Sequence, residues 1–558
     1  MPVLVDLYRF VRNPAWARAI SRDLARTRTE SAFLADVPAP GADAPTALIG
    51  LYRDNIFETK LALVLGSALR ARGVRPVVIM PSARNDRIRR YARAFMIDDV
   101  RARDQVVPTA QEVEEIRAAA AAMLAGPIDF DTLRGWTFAG YQVGFHVVSS
   151  LIRRTFDGSP DLHLDANRDL LADVLHEVLE SYVVCGRILD EVAPSLVLVE
   201  EANYAVNGPL VDAAVARGID VIQTIATWRD DALMSKRLTA ANRRVDAKSV
   251  APETLERLVA ERGAALDPAS DAELDADFVH RYDRTWVLGA QFQPGTRDFA
   301  ADEIVDLVGL DPDRPTAVVF AHVLWDATLF FGVDLFDNYA DWLRQTVLAA
   351  AANRDVSWVI KTHPSNVFRS AHGDVGADAS SEGEIVRDAL ADLPEHVYVL
   401  PPDTPISTVS LYRFADYGVT VRGTAGLEMA TFGKPVLTAG TGSYSGLGFT
   451  FDSASREEYL ERIATIRTIG ALPDGMRALA RRFAHTLFVQ RPWITRSFRL
   501  RFEFPEQGWH PLDRNVEWTI GSGGALVDSA DLGPWADWAT ASRDEDFIAP
   551  RTPGGDAP

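Results

Sequence analysis

Short apolar runs alternate with stretches of helical spacing over most of this chain. Residues 46–52, Thr-Ala-Leu-Ile-Gly-Leu-Tyr, form a nearly continuous apolar run that predicts a buried strand. Apolar positions then recur at helical spacing over residues 58–72 (Leu61, Leu65, Leu69), Gly73 stops them, and residues 75–80 return to strand character. Strand, helix and strand at these lengths make a β-α-β unit, the building block of a parallel sheet. Residues 86–190 read as mostly helical. Strands are predicted again at 195–201 and 218–224, joined by a turn at 203–208 and a helix that runs to Arg217.

Residues 239–284 are charged, alanine-rich and helical in pattern, and Asp311-Pro-Asp-Arg-Pro315 is a sharp break. A second alternating set follows it. Strands are predicted at 316–321, 356–361, 397–400 and 417–421, with helices at 339–352, 382–390 and 405–414 between them. A helix beginning near Leu427, a strand at Val436-Leu437 and a helical stretch at 456–482 complete the set. The last 70 or so residues mix aromatic strand-like runs (498–504 and 516–520) with an acidic, Pro/Gly-rich tail expected to be disordered at its end.

The expected fold class is α/β: two Rossmann-like domains facing a cleft, with extra helices in the N-terminal half. The expected boundaries are 1–290 for an N-terminal domain on the acceptor side, 291–482 for a C-terminal donor domain, and 483–558 for an extension. With 558 residues the chain is long enough for two or more cores. Its 47% hydrophobic and 24% charged residues exclude global disorder. A formal net charge of −20 argues against coating nucleic acid, because no overall positive field would attract phosphate backbones. The single cysteine, Cys185, excludes an intramolecular disulfide framework and a cysteine-rich zinc site. No apolar window is long enough to predict a transmembrane helix, and the N-terminus lacks signal-peptide order. A cytoplasmic location, with peripheral contact at a membrane left open, is the expectation.

Four stretches of the second half fall at strand ends or the turns after them, where open α/β sheets bind ligands. They are His322-Val-Leu-Trp-Asp326, Lys361-Thr-His-Pro364, Asp403-Thr-Pro-Ile-Ser407 and Arg422-Gly-Thr-Ala-Gly-Leu-Glu428. Each taken singly has an ordinary structural reading, as an N-cap, a surface charge or a core aromatic. Together they place cations and a glycine-rich helix start where a phosphate leaving group would need them. Thr424 could cap the helix or donate to a phosphate, and Glu428 could accept hydrogen bonds from sugar hydroxyls.

The motifs Trp325-Asp-Ala327, Asp341-Trp-Leu343, Lys361-Thr-His-Pro364, Gly423-Thr-Ala-Gly-Leu-Glu428 and Gly433-Lys-Pro-Val436 resemble those of bacterial capsule polysaccharide biosynthesis proteins. That group is similar to GT-B-type glycosyltransferases that move Kdo from CMP-Kdo. The His-Pro pair also resembles the motif of bacterial sialyltransferases and of CDP-glycerol polymer transferases. The likeness spans residues 195–450 and is strongest over 315–450. It implies that His363 contacts the donor phosphate beside Lys361, that Ser407, Arg422, Thr424 and the Gly423 to Gly426 backbone complete the cradle, and that Glu428 holds the ribose. For the acceptor side, Glu200 and Glu201, with Asn203, are the candidates for a general base at a strand end; a helix-capping loop is the equal alternative there. The Asp/Glu-Asp/Glu-Gly motif of sialyltransferases is absent, since Ala202 follows Glu201.

The expected activity is therefore glycosyl transfer from a nucleotide sugar, CMP- or UDP-linked, to a glycan or lipid-linked glycan of a surface polysaccharide. The nucleotide sugar is a substrate, and neither cofactor nor metal is expected. The competing readings are a CDP-alcohol polymer phosphotransferase, a nucleotide-sugar epimerase, and a non-catalytic assembly or export partner.

Overall fold

The computed structural model describes residues 13–282, 286, 295–325, 331–364, 382–503 and 510–550. Asp326 and Ala327 of one motif, Phe504 and the tail end 551–558 lie outside that set. In chain order the strands are β1 (Thr46–Gly50), β2 (Arg75–Met80), β3 (Val100–Ala102), β4 (Thr137–Phe138), β5 (Tyr141–Gln142), β6 (Leu196–Val199), β7 (Asp220–Ala226) and β8 (Ala232–Leu238). They continue as β9 (Thr316–Phe320), β10 (Ser357–Lys361), β11 (Val397–Leu400), β12 (Tyr417–Thr420), β13 (Val436–Thr438), β14 (Phe451–Asp452), β15 (Trp493–Ile494), β16 (Phe498–Phe502) and β17 (Arg514–Trp518).

The chain divides into two compact units built from discontinuous segments. The first comprises residues 1–121, 176–241 and 492–551, and the second residues 122–175, 242–491 and 552–558. The expected divisions at 290/291 and 482/483 do not coincide with these units. Residues 122–175 and 242–290 cluster with the later sheet, and 492–551 return to the earlier one. Contacts between segments far apart in the sequence decide this.

The first unit holds a seven-stranded sheet in the order β15-β8-β7-β6-β1-β2-β3. Strands β3, β2, β1, β6 and β7 are parallel, while β8 pairs antiparallel with β7 and the edge strand β15 antiparallel with β8. Strand β8 is the main element that apolar pattern misses. Its residues are all buried, yet its sequence, Ala-Leu-Met-Ser-Lys-Arg-Leu, reads as polar at Ser235, Lys236 and Arg237. Those polar groups are satisfied within the unit: Lys236 pairs with Asp546 at 3.0 Å, and Ser235 Oγ accepts from the indoles of Trp493 and Trp535. Their partners lie about 300 residues along the chain, beyond the reach of any local pattern. The predicted strands near 498 and 516 form the antiparallel hairpin β16-β17.

The second unit holds a six-stranded parallel sheet, β11-β10-β9-β12-β13-β14. Successive residues of β9 enter opposite cores. Ala317 and Val319 join a cluster with Trp342, Trp358 and Tyr459, whereas Val318 and Phe320 join one with Tyr412 and Met429. Both faces are covered, so the strand reads as an unbroken apolar run. Both units are thus Rossmann-like α/β layers, as expected. Two helices, Arg456–Ala464 and Asp474–His485, replace the single expected stretch 456–482; the first ends at Ala464, and Pro473 is the N-cap of the second. Among the described residues no helix is long and apolar enough to cross a membrane.

Candidate functional site

Each sheet has one point where the strand order reverses, and ligands of open α/β sheets bind at the carboxyl ends of the strands flanking it. In the second unit the chain runs from β9 outward through β10 and β11, then returns to the other side of β9 with β12. The crevice after β9 and β12 therefore receives His322, which follows β9, and residues 421–425, which follow β12. Strand β10, the other neighbour of β9, ends in Lys361 and is followed by His363. Three of the four stretches singled out from sequence are brought together here by strand order alone.

The helix after β12 spans Thr424–Thr431, three residues earlier than its apolar pattern suggests. Its N-cap is Gly423, which supplies no side-chain cap, and its first turn holds no acidic residue. The Gly426 N–H is taken by the Gly423 carbonyl at 3.0 Å, and the Gly423 N–H by Thr420 Oγ1 at 3.3 Å. The Thr424 and Ala425 N–H groups have no intrahelical acceptor, as in any first turn. With the exposed Thr424 they make a set of donors at the positive end of the helix dipole.

Lys361 is buried, and its ammonium donates to the Thr362 carbonyl at 3.1 Å. Burial, opposed by Glu382, lowers its pKa to about 8. His363 is half-buried, and burial together with the Lys361 charge lowers its pKa to about 4. At neutral pH this corner offers one ammonium and one neutral imidazole. That arrangement favours an anion, which would return Lys361 toward its ordinary value.

Gly426 is required by its neighbour. A Cβ there would lie 2.3 Å from the Tyr444 hydroxyl, which donates to the Gly423 carbonyl at 2.7 Å. Gly426→Ala is expected to destabilise the protein by about 1–3 kcal/mol through overpacking, and adding Tyr444→Phe should recover part of that. Thermal unfolding of the single and double variants checks it; equal losses in both would assign the cost elsewhere.

Three expected ligands of the cradle have other roles. Glu428 is almost fully buried: one oxygen pairs with Arg281 at 2.9 Å and the other accepts from the Tyr282 hydroxyl. It is a structural carboxylate in the core of the unit, with no face toward a ribose. Ser407 caps the Thr408–Phe414 helix through the Ser410 N–H and donates to Asp298 at 2.6 Å. Arg422 forms an ion pair with Asp334 and donates to the Phe331 carbonyl, so its charge is already neutralised. Sequence spacing put each at the right turn, but the partners that claim them come from distant segments.

In the first unit the order reverses between β1 and β6. Glu200 follows β6 there. Its carbonyl accepts from Gln223 at 2.8 Å, and the Asn207 amide bridges the Gly50 and Glu201 carbonyls at 3.5 and 3.1 Å. A narrow pocket at this point is lined by Leu51, Tyr52, Glu58, Leu61, Glu200 and Thr224. Burial first, then Glu58 and Glu201 against Arg53 and Arg514, raise the Glu200 pKa to about 8. Glu58 itself is held by Arg53 at 2.7 Å. Glu201 instead accepts from the Asn203 and Tyr204 N–H groups, which is the turn-capping alternative and not a base poised for substrate. Arg53, Glu58 and Arg514 were not legible as site residues, since the last arrives on β17 from the far end of the chain.

In the first unit the helix after β6, Asn207–Ala216, also starts without a side-chain cap or a first-turn acid, whereas the helix after β1 does not. The Ile56–Ala71 helix is capped by Asn55, whose side chain accepts from Phe57 and Glu58 N–H at 2.9 and 3.3 Å, and it carries Glu58 in its first turn. That start is already filled with acceptors and repels an anion. The Thr424–Thr431 start is open.

No family model matches this sequence, and no curated protein matches it. Among solved structures 137 chains match. One is the KpsC β-Kdo 2,4-transferase of Thermosulfurimonas dismutans, 15% identical, covering 52% of this chain and 79% of that one at a TM-score of 0.31. Another is the UDP-GlcNAc 2-epimerase of Neisseria meningitidis with bound UDP-GlcNAc, 11% identical, covering 79% and 96% at a TM-score of 0.26. A third is the glycotransferase of kitacinnamycin, 14% identical, covering 79% and 96% at a TM-score of 0.25. Overlaps this loose decide nothing about substrate or chemistry. The assignment of function rests on the two crevices.

Proposed function

We propose that this chain is a glycosyltransferase that binds a nucleotide sugar by its phosphate at the β9/β12 crevice of the second unit. The observation that carries this reading is that Lys361, His363 and the open Thr424–Thr431 helix start all lie at the carboxyl ends of β10 and β12, the two strands that flank β9. Cation, imidazole donor and backbone N–H groups are what stabilises the charge that develops on a departing nucleoside phosphate. In this reading the phosphate accepts from Thr424, Ala425 and Lys361, and His363 donates its ring N–H. Glu200 of the first unit is the general base. Within the first unit it would be the carboxylate able to take the proton of an acceptor hydroxyl. The carboxylates of Glu58 and Glu200 in the mostly apolar lining of this pocket suit a neutral glycan hydroxyl better than a second anion. A surface or capsular polysaccharide, lipid-linked or free, is the proposed acceptor, and a CMP-linked sugar the first donor to try.

The test is calorimetric titration with CMP, CDP, UDP and GDP and their sugar conjugates. At least one nucleotide should bind, and Lys361→Met should weaken it about ten-fold or more through loss of a charge-assisted bond. Affinity should also fall as pH rises through about 8, where Lys361 loses its proton. Absence of binding by any nucleotide would sink the reading and favour a non-catalytic assembly role. Interconversion of a nucleotide sugar without an acceptor would replace transferase with epimerase.

A further inference from the structure

The open helix start of the second unit is shaped from behind by a buried histidine. His322 Nε2 lies 3.2 Å from the Val421 nitrogen and 3.4 Å from the Arg422 nitrogen, and accepts from both N–H groups. It also lies 3.0 Å from Thr420 Oγ1, which in turn accepts the Gly423 N–H at 3.3 Å. We propose that His322 is a positioning residue: with Thr420 it gathers the N–H groups of residues 421–423 inward, so that the next two, on Thr424 and Ala425, face outward toward a phosphate-type anion. The inference rests on the anion-binding part of the function proposed above and not on which nucleotide carries the phosphate.

The hydrogen-bond chemistry sets the tautomer. A ring nitrogen that accepts from backbone N–H groups must present its lone pair, so the ring proton belongs on Nδ1. The Thr420 hydroxyl, which accepts from Gly423, lies 3.0 Å from Nε2 and shares the single Nε2 lone pair with the two N–H groups. An imidazolium would point an N–H at two N–H donors and undo the turn. Burial, the Arg422 charge and His363 push the His322 pKa down to about 3, so the ring stays neutral. Its plane is fixed by Tyr339, stacked at 4.5 Å and 26°, and by the edge of Trp342 at 5.7 Å. The absence of a side chain at Gly423 belongs to the same design: a Cβ there would sit 3.1 Å from Thr420 Oγ1 and 3.4 Å from His322 Cε1.

The test uses inorganic phosphate as the probe, titrated into the full chain and followed by 31P NMR. Thr420→Val removes the hydroxyl at nearly constant volume, His322→Leu removes the acceptor, and His322→Gln restores an acceptor through its amide oxygen. Thr420→Val and His322→Leu should each weaken phosphate binding about ten-fold, with most of it recovered in His322→Gln. Thr420→Val keeps the test decisive where His322→Leu fails to fold. Histidine ring 15N spectra should show His322 protonated at Nδ1. The inference is overturned by an Nε2-protonated ring, by unchanged phosphate affinity in folded Thr420→Val, or by a wild-type chain that binds no phosphate. Phosphate binding with the expected variant pattern but no nucleotide binding would uphold it while sinking the nucleotide-sugar reading.

Discussion

Replacing Glu200 with Gln is expected to lower glycosyl transfer by about 10²–10⁴-fold with little change in nucleotide affinity. Loss of a general base removes a proton acceptor needed only as the acceptor oxygen attacks, so kcat should fall while donor binding, which belongs to the other unit, persists. The pH profile adds a signature. Glu200 is raised from 4.5 to about 8, so wild-type turnover should climb as pH approaches 8 and the carboxylate forms, and the variant should lose that limb. Stability moves the opposite way. Between pH 4.5 and 8 the folded state holds a proton that the unfolded state releases. Stability from this group is therefore complete below 4.5 and is lost as pH rises through 8, at no more than about 1.4 kcal/mol per pH unit. Glu200→Gln should flatten that slope. Unchanged turnover in a folded variant would remove Glu200 from the mechanism and leave the first-unit crevice without a chemical role.

The second large effect is on stability. Glu428→Ala leaves the buried Arg281 with Asp277 at 2.8 Å as its remaining carboxylate, and leaves the Tyr282 hydroxyl only the Tyr412 hydroxyl at 3.4 Å. Breaking one side of a buried ion pair costs about 3–5 kcal/mol, far more than losing a solvent-facing sugar contact. Denaturant unfolding should show that loss, and nucleotide affinity of the folded fraction should be unchanged. The reverse result, wild-type stability with weakened nucleotide binding, would return Glu428 to the ribose and discard the buried-pair assignment. Arg281 also lies over the Phe488 ring at 3.9 Å, so its own removal forfeits packing as well as charge.

Much of the architecture is visible in one dimension. Strands buried on both faces, such as β1, β6, β9 and β10, read directly as apolar runs, because every side chain enters a core. The Lys361-Thr-His-Pro364 and Gly423-Thr-Ala-Gly426 turns are equally legible, since a glycine at a strand-to-helix turn and a cation at a strand end are local features. Strand β8 was not legible, because its buried Lys236, Arg237 and Ser235 are matched by groups some 260 to 310 residues away. The unit boundaries were hidden for the same reason.

Sequence by itself determined that two α/β sets follow one another, and that the later one carries Lys361, His363 and a glycine-rich strand-to-helix turn at its strand ends. Local chemistry suffices for that, since strand pattern, helix start and residue type are properties of a few neighbouring positions. Only the tertiary structure decided which of these side chains remain available. Glu428, Arg422 and Ser407 carry the right groups at the right turns, but Arg281, Asp334 and Asp298 claim them. Glu200 and Glu201 are adjacent and chemically alike, and three-dimensional surroundings alone separate a turn cap from a carboxyl raised by burial beside Glu58. A charged group's role depends on its distances to other charges and on how much water it has lost, and both are set by packing between remote segments.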